Sequence, residues 1–147
     1  MQGRRMLIVL TLVVAVLGTA GVATAQTRSQ RLRSKMLQLV NQSRTANGVA
    51  PLKINWKLSR YAWKHSREMA VNRSVYHTGD VWTHVRRFGA RSWGENVGLS
   101  WSLRHLEAAF MASPPHRANT LAARFHRVGI GVVCTPRYRW VTLDFYG

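Results

Sequence analysis

Three short stretches carry the side chains with the most chemistry. Tyr76-His77-Thr78-Gly79 and Gly94-Glu95-Asn96-Val97 lie upstream of the run from Phe110 to Asn119, which reads Phe-Met-Ala-Ser-Pro-Pro-His-Arg-Ala-Asn. His77, His116 and Glu95 supply two imidazoles and a carboxylate. Neutral imidazole nitrogen and carboxylate oxygen both suit Zn²⁺, and three protein ligands leave a position for water. A water held there becomes acidic enough to attack a carbonyl near neutral pH. The separations, 18 and 21 residues, match no local zinc signature of the H-E-x-x-H kind. Only tertiary folding can bring the three together. A metal-free arrangement is equally physical: Glu95 accepts from both histidines, and the set fixes the loops around a cleft.

The elements that must position these residues are legible from periodicity. Ser29 to Asn47 reads as a helix with Leu32, Met36, Leu39 and Val40 on one face and Gly48 as its left-handed stop. Val49 to Leu52 is a connector. Asn55 is suited to cap a second helix from Trp56 to about Asn72, in which Leu58, Ala62, His65 and Met69 share a stripe. His65 within that stripe reads as a core histidine bonded to backbone. Asn72 to Gly79 is a turn region, and Asp80 caps a short helix from Val81 to Phe88 that Gly89 closes. Glu95-Asn96-Val97 is extended between two glycines. Ser102 caps a helix whose buried stripe is Leu103, Leu106 and Phe110, with Ala109 beside them. Ser113-Pro114-Pro115 ends it at a fixed corner. Val128 to Cys134 and Tyr138 to Tyr146 alternate as strands, and Thr135-Pro136-Arg137 joins them as an antiparallel hairpin. Helices first and strands last give an α+β order.

The chain has 147 residues. Residues 1–25 read as an export signal: Arg4 and Arg5 precede an apolar run from Met6 to Val22, and Ala23-Thr24-Ala25 is an A-x-A cleavage pattern. An uncleaved membrane anchor is the competing reading, because the run is nearly long enough to span a bilayer. The expected organisation is a signal at 1–25, one domain at 26–147 and an extracellular location. Without Arg4 and Arg5, 20 of the 22 basic residues remain against 5 acidic ones. The arginines are scattered, which reads as a basic surface rather than a nucleic-acid arm. Cys134 is the sole cysteine, so no internal bridge is possible, and it reads as a small apolar residue in a strand.

Taken in order, these pieces resemble the bacterial branch of the CAP family, which joins cysteine-rich secretory proteins, antigen 5 proteins and pathogenesis-related class one proteins. The resemblance runs from about Leu37 to Gly147. It rests on Asn41 and Arg44 in the first helix, Leu52 and Trp56, and His65-Ser66-Arg67-Glu68-Met69-Ala70. His77, Gly94 to Val97, Phe110 to Asn119 with Leu121, Val128 to Val132 and the aromatic last strand complete it. It implies a three-layer α-β-α sandwich, a small antiparallel sheet flanked by helices. It also implies a central cleft lined by two histidines and two acids. Position by position, these fall on His77, His116 and Glu95, with Ser113 where the second acid would stand.

Two functions outside that frame compete with a secreted, non-enzymatic binding protein for a lipid, a wall polymer or another protein. One is a metal-dependent extracellular hydrolase using His77, Glu95 and His116, with zinc as the expected divalent metal. The other is a charge-driven polyanion binder. No specific nucleic acid is expected, the membrane is met only through an uncleaved signal, and the expected state is a monomer. Ser113 before a proline reads as a helix terminator rather than a nucleophile. Asn96 reads as a backbone-bonding turn residue, and Arg117 and Asn119 as pins of the Pro-Pro corner. His84, His105 and His126 read as surface residues. The six tryptophans read as core and cleft walls, with Trp93 or Trp101 as a groove wall for a sugar or lipid.

Overall fold

The structure, a computed structural model, describes residues 28–147. The leader expected at 1–25 lies outside the described residues. Among the described residues no helix is long and apolar enough to cross a membrane. The compact unit runs from Leu32 to Gly147.

Helix α1 covers 28–46. Met36, Leu39 and Val40 are buried along it, and Gly48 at φ 71° ends it as expected. The expected connector then contains a two-residue strand, β1 (Lys53–Ile54). Helix α2 spans Leu58–Asn72. Asn55 does cap it, its Oδ1 accepting from the N–H groups of Lys57 and Leu58 at 3.0 Å each. Leu58, Ala62, His65 and Met69 are all buried, and His65 Nε2 meets the carbonyl of Tyr76 at 2.8 Å, the expected core histidine.

Helix α3 (Val81–Val85) starts at Asp80, whose carboxylate accepts from Thr83 N–H at 2.9 Å, and continues into a 3₁₀ turn that Gly89 closes at φ 77°. Strand β2 is Trp93–Ser100, longer at both ends than the glycine-bracketed segment expected. Helix α4 is Leu103–Ala112, capped by Ser102. Ser113 adopts an extended conformation, as the residue before a proline should. The expected corner is instead the start of helix α5 (Pro114–Leu121), with both prolines in its first turn, where their missing N–H groups are not needed. Strands β3 (Arg127–Cys134) and β4 (Arg139–Tyr146) form the expected hairpin.

The sheet order is β1-β3-β4-β2. β2, β3 and β4 are antiparallel, and β1 adds a short parallel edge beside β3, which the periodicity could not show in two residues. Helices cover both faces. Val128, Ile130, Val141, Leu143 and Phe145 pack with α1 and α4. On the other face α2 lies directly over β3, because Gly129 and Gly131 leave room. A Cβ on Gly131 would stand 2.1 Å from the Ala62 carbonyl oxygen. Ser66 Oγ donates to Thr142 Oγ1 at 2.9 Å across the same contact.

Arg44 ties the layers together from a fully buried position. Its guanidinium donates to the carbonyls of Ala50, Thr120, Ala122 and Phe125, at 2.7 to 3.1 Å. Asn41 makes a reciprocal pair with the backbone of Leu52 at 2.8 and 3.0 Å.

Candidate functional site

The three sequence-selected residues are positioned around β2, the edge strand of the sheet beside β4. Side chains alternate across that strand. Glu95 and Val97 turn to the α2 face, whereas Gly94, Asn96 and Gly98 turn to the face covered by α4 and α5. Each residue of Gly94-Glu95-Asn96-Val97 therefore has a distinct task. A Cβ on Gly94 would lie 2.6 Å from Asn119 Oδ1, so glycine lets α5 approach. Asn96 Nδ2 donates to the His116 carbonyl at 2.9 Å and to Thr120 Oγ1 at 3.2 Å. Asn119 Nδ2 returns to the Glu95 carbonyl and to Asn96 Oδ1, both at 3.0 Å. Val97 packs into a small core with Met69 and Trp140.

Glu95 is buried, with only 3% of its side chain exposed, yet its partner His77 is 64% exposed. His77 Nδ1 meets Glu95 Oε1 at 2.6 Å, and Thr78 N–H donates to both carboxylate oxygens at 2.9 and 3.3 Å. A carboxylate only accepts, so Nδ1 carries the proton and Nε2 points its lone pair elsewhere. This is how a carboxylate orients a histidine for metal.

His116 sits in the first turn of α5, half-buried against the Phe110 ring at 5.1 Å between centroids. Its Nδ1 lies 2.8 Å from Ser113 Oγ. Burial lowers its pKa below the ordinary 6.5, and the neighbouring His77 charge lowers it further. His77 and His116 flank the same edge strand, His77 bonded to Glu95 on its α2 face and His116 carried by α5 on the other. Among the described residues neither Nε2 has a hydrogen-bond partner, nor do any three His, Cys, Asp or Glu side chains form a ready-made metal cage. Glu95 is engaged by His77 and Thr78, so of the three residues it is the two imidazole Nε2 atoms that stand without a partner among the described residues.

Asp144 is an acid beside the site that residue spacing alone does not link to it. It is paired across the sheet with Glu95 and is buried. Burial pushes its carboxyl well above the usual range, and the Glu95 carboxylate opposite it pushes it further. The signal was available only through register: Glu95 opposite Asp144 on one face of an antiparallel pair.

Other expectations are corrected by position. Asn96 bonds backbone, but from a strand rather than a turn. Arg117 reaches Asn47 Oδ1 at 3.0 Å, at the end of α1, and Asn119 secures β2, so neither pins the proline corner itself. His84 is half-buried and stacked on Tyr61 at 4.4 Å, whereas His105 and His126 are exposed. Of the tryptophans Trp140 is buried, but Trp56, Trp82, Trp93 and Trp101 are each more than 40% exposed, so the expected core role fails for those four. Cys134 is a free thiol, half-buried at the end of β3 against the main core.

Comparison with known proteins agrees with this architecture. The family model described as CAP, the cysteine-rich secretory protein family, matches residues 37–145. Protein YkwD of Bacillus subtilis is 29% identical over 106 residues, covering 67% of this chain and 41% of that protein. An extracellular SCP-domain protein of Bacillus anthracis superposes with a TM-score of 0.65 at 23% identity, over 80% of this chain and 41% of the other. An outer surface protein of Borrelia burgdorferi superposes at 0.61 with 16% identity, over 80% of this chain and 90% of the other. The chain thus spans about two-fifths of the two Bacillus proteins.

Proposed function

The chain belongs to the CAP, or cysteine-rich secretory protein, family, and from that premise we propose that it acts outside the cell as a binding protein whose imidazole pair takes a divalent metal. The observation that supports this reading is the fixing of both rings through Nδ1, His77 by Glu95 and His116 by Ser113, with both Nε2 atoms left available. His77 and His116 would hold the ion, and Glu95 would orient. A bound zinc would supply a Lewis-acidic anchor for an oxygen or nitrogen donor on a cell-surface partner. Two protein ligands leave open positions, so the partner completes the site.

The hydrolytic alternative asks more of the same residues. Its base would be Glu95, which is already occupied by His77 and Thr78. The position of the second family acid is Ser113, whose hydroxyl lies at His116 Nδ1. Support for the extracellular location comes from the leader pattern and from the likeness to an extracellular protein and an outer surface protein.

Zinc titration of the purified protein by calorimetry tests the reading. One ion should bind per chain. H77A and H116A should each abolish that binding, and E95Q should weaken it about tenfold through lost ring orientation. Peptide cleavage by the wild type that disappears in H116A would replace binding with hydrolysis.

A further inference from the structure

Strand β2 forms one edge of the sheet over eight residues, whereas β1 at the other edge has two. Just before β2, Ser92 and Gly147 exchange both backbone bonds: Ser92 N–H donates to the Gly147 carbonyl at 3.0 Å, and Gly147 N–H to the Ser92 carbonyl at 3.2 Å. In an antiparallel pair such bonded positions recur at every second residue. The register therefore turns the backbone of Gly94, Asn96, Gly98 and Ser100 toward β4, and that of Trp93, Glu95, Val97 and Leu99 toward the open edge. Asn119 Nδ2, which reaches the Glu95 carbonyl from α5, agrees with that parity.

The edge is guarded near its start and bare toward its end. Sheet edges are commonly protected by proline, lysine, an inward-pointing charge or a covering group. Glu95 turns its charge inward, and Asn119 covers its carbonyl. Beyond it β2 has neither proline nor lysine. Among the described residues the N–H and C=O groups of Val97 and Leu99 have no partner. These two donors and two acceptors repeat at strand spacing, which another extended backbone matches. Beside them, the segment bearing His77 lies against Glu95 through Thr78 and leaves Val75 and Tyr76 exposed, and Trp101 is exposed just past the end of β2.

Charge selects the sign of the partner. Of the 5 acidic residues only Glu68 and Asp80 are not buried. Glu68 lies 3.8 Å from Lys64, and Asp80 caps α3. An acidic segment is attracted to this surface, whereas a second copy of the basic chain is repelled. We propose that Val97 and Leu99 recruit an extended acidic peptide of another protein, which joins the four-stranded sheet as a further strand.

Amide NMR of the isotopically labelled, metal-free protein tests this with the end-capped peptide Glu-Thr-Val-Thr-Val-Glu, so the outcome does not depend on a metal at the imidazoles. The Val97 and Leu99 N–H resonances should shift and saturate together, while those of Asn96 and Gly98, already turned to β4, move little. Only alternate residues of an added strand donate to β2. Of two modified peptides, one N-methylated on both threonines and one on both valines, one should bind about tenfold more weakly and the other nearly as the parent does. A peptide with lysine in place of both glutamates should bind more weakly, by a margin that shrinks as salt rises. L99P removes an edge donor that bonds nothing in the sheet, so it should fold and weaken the peptide, whereas L99A retains the donor and the binding. Equal effects of the two methylation patterns, or largest shifts away from Val97 and Leu99, would overturn the assignment. Concentration-dependent shifts of these two amides without peptide would also overturn it, by placing a second copy of the chain on the edge.

Discussion

Glu107 is buried on α4, with neither carboxylate oxygen hydrogen-bonded among the described residues. Burial raises its pKa from 4.5 to about 7, and the opposing effect of the Ser43 hydroxyl is smaller because no well-formed bond joins them. The folded pKa lies above the unfolded one. The folded state therefore holds the proton more tightly, and stability falls as pH rises from about 4.5 through about 7. The loss is at most about 3 kcal/mol. E107Q should match the wild type near pH 4 and melt higher than it at pH 8, which thermal unfolding across pH measures. An unchanged difference between the two proteins from pH 4 to pH 8 would contradict this. Glu107 was not legible in the sequence, because it sits one step beside Leu106 on an otherwise amphipathic helix. The site residues were legible only by type and by resemblance. Spacing could not say that Glu95 orients His77 rather than standing free, because a distant loop must fold onto β2, nor that Asp144 lies opposite Glu95, because that depends on strand register.

At the level of elements, the contact between α2 and β3 depends on two glycines. A Cβ at 129 would lie 2.4 Å from Leu58 Cγ, and one at 131 would press on α2 backbone. Backbone cannot swing aside as a side-chain tip can. G131A should therefore destabilise by about 3 kcal/mol, read from denaturant midpoints at constant slope. G79A is the control, since no atom lies within 4 Å of its Cβ position. Alternation in Val128 to Cys134 made the strand legible, but it could not show that these glycines face a helix. The helices themselves were readable because their caps and stripes are local: Asn55, Asp80 and Ser102 all cap as their types suggest. The proline corner was misread because Pro114-Pro115 both stops α4 and suits the first turn of α5. The two prolines mark a break in the chain, and either a loop or a new helix is compatible with them.

Across the whole molecule, Arg44 links α1 to the carbonyls between the end of α5 and the start of β3. Its four acceptors lie up to 81 residues away, so the periodicity of α1 shows a helix but not this bond set. R44K replaces a planar fork with a single ammonium and should lower stability by about 3 kcal/mol, measured by chemical unfolding. Charge obeys a similar logic. Three of the 5 acidic residues, Glu95, Glu107 and Asp144, are buried, so Glu68 and Asp80 remain to offset the basic surface. Retention on a polyanion column should fall steeply with salt and be unaltered by H116A, because it depends on the surface and not on the imidazoles.

The most direct test of the convergence of His77 and His116 is imidazole nitrogen NMR during a zinc titration. Both Nε2 resonances should move together and saturate at one zinc per chain, while the Nδ1 atoms held by Glu95 and Ser113 stay nearly fixed. Movement of one ring alone, or of the two rings at different zinc ratios, would show that they do not share a site.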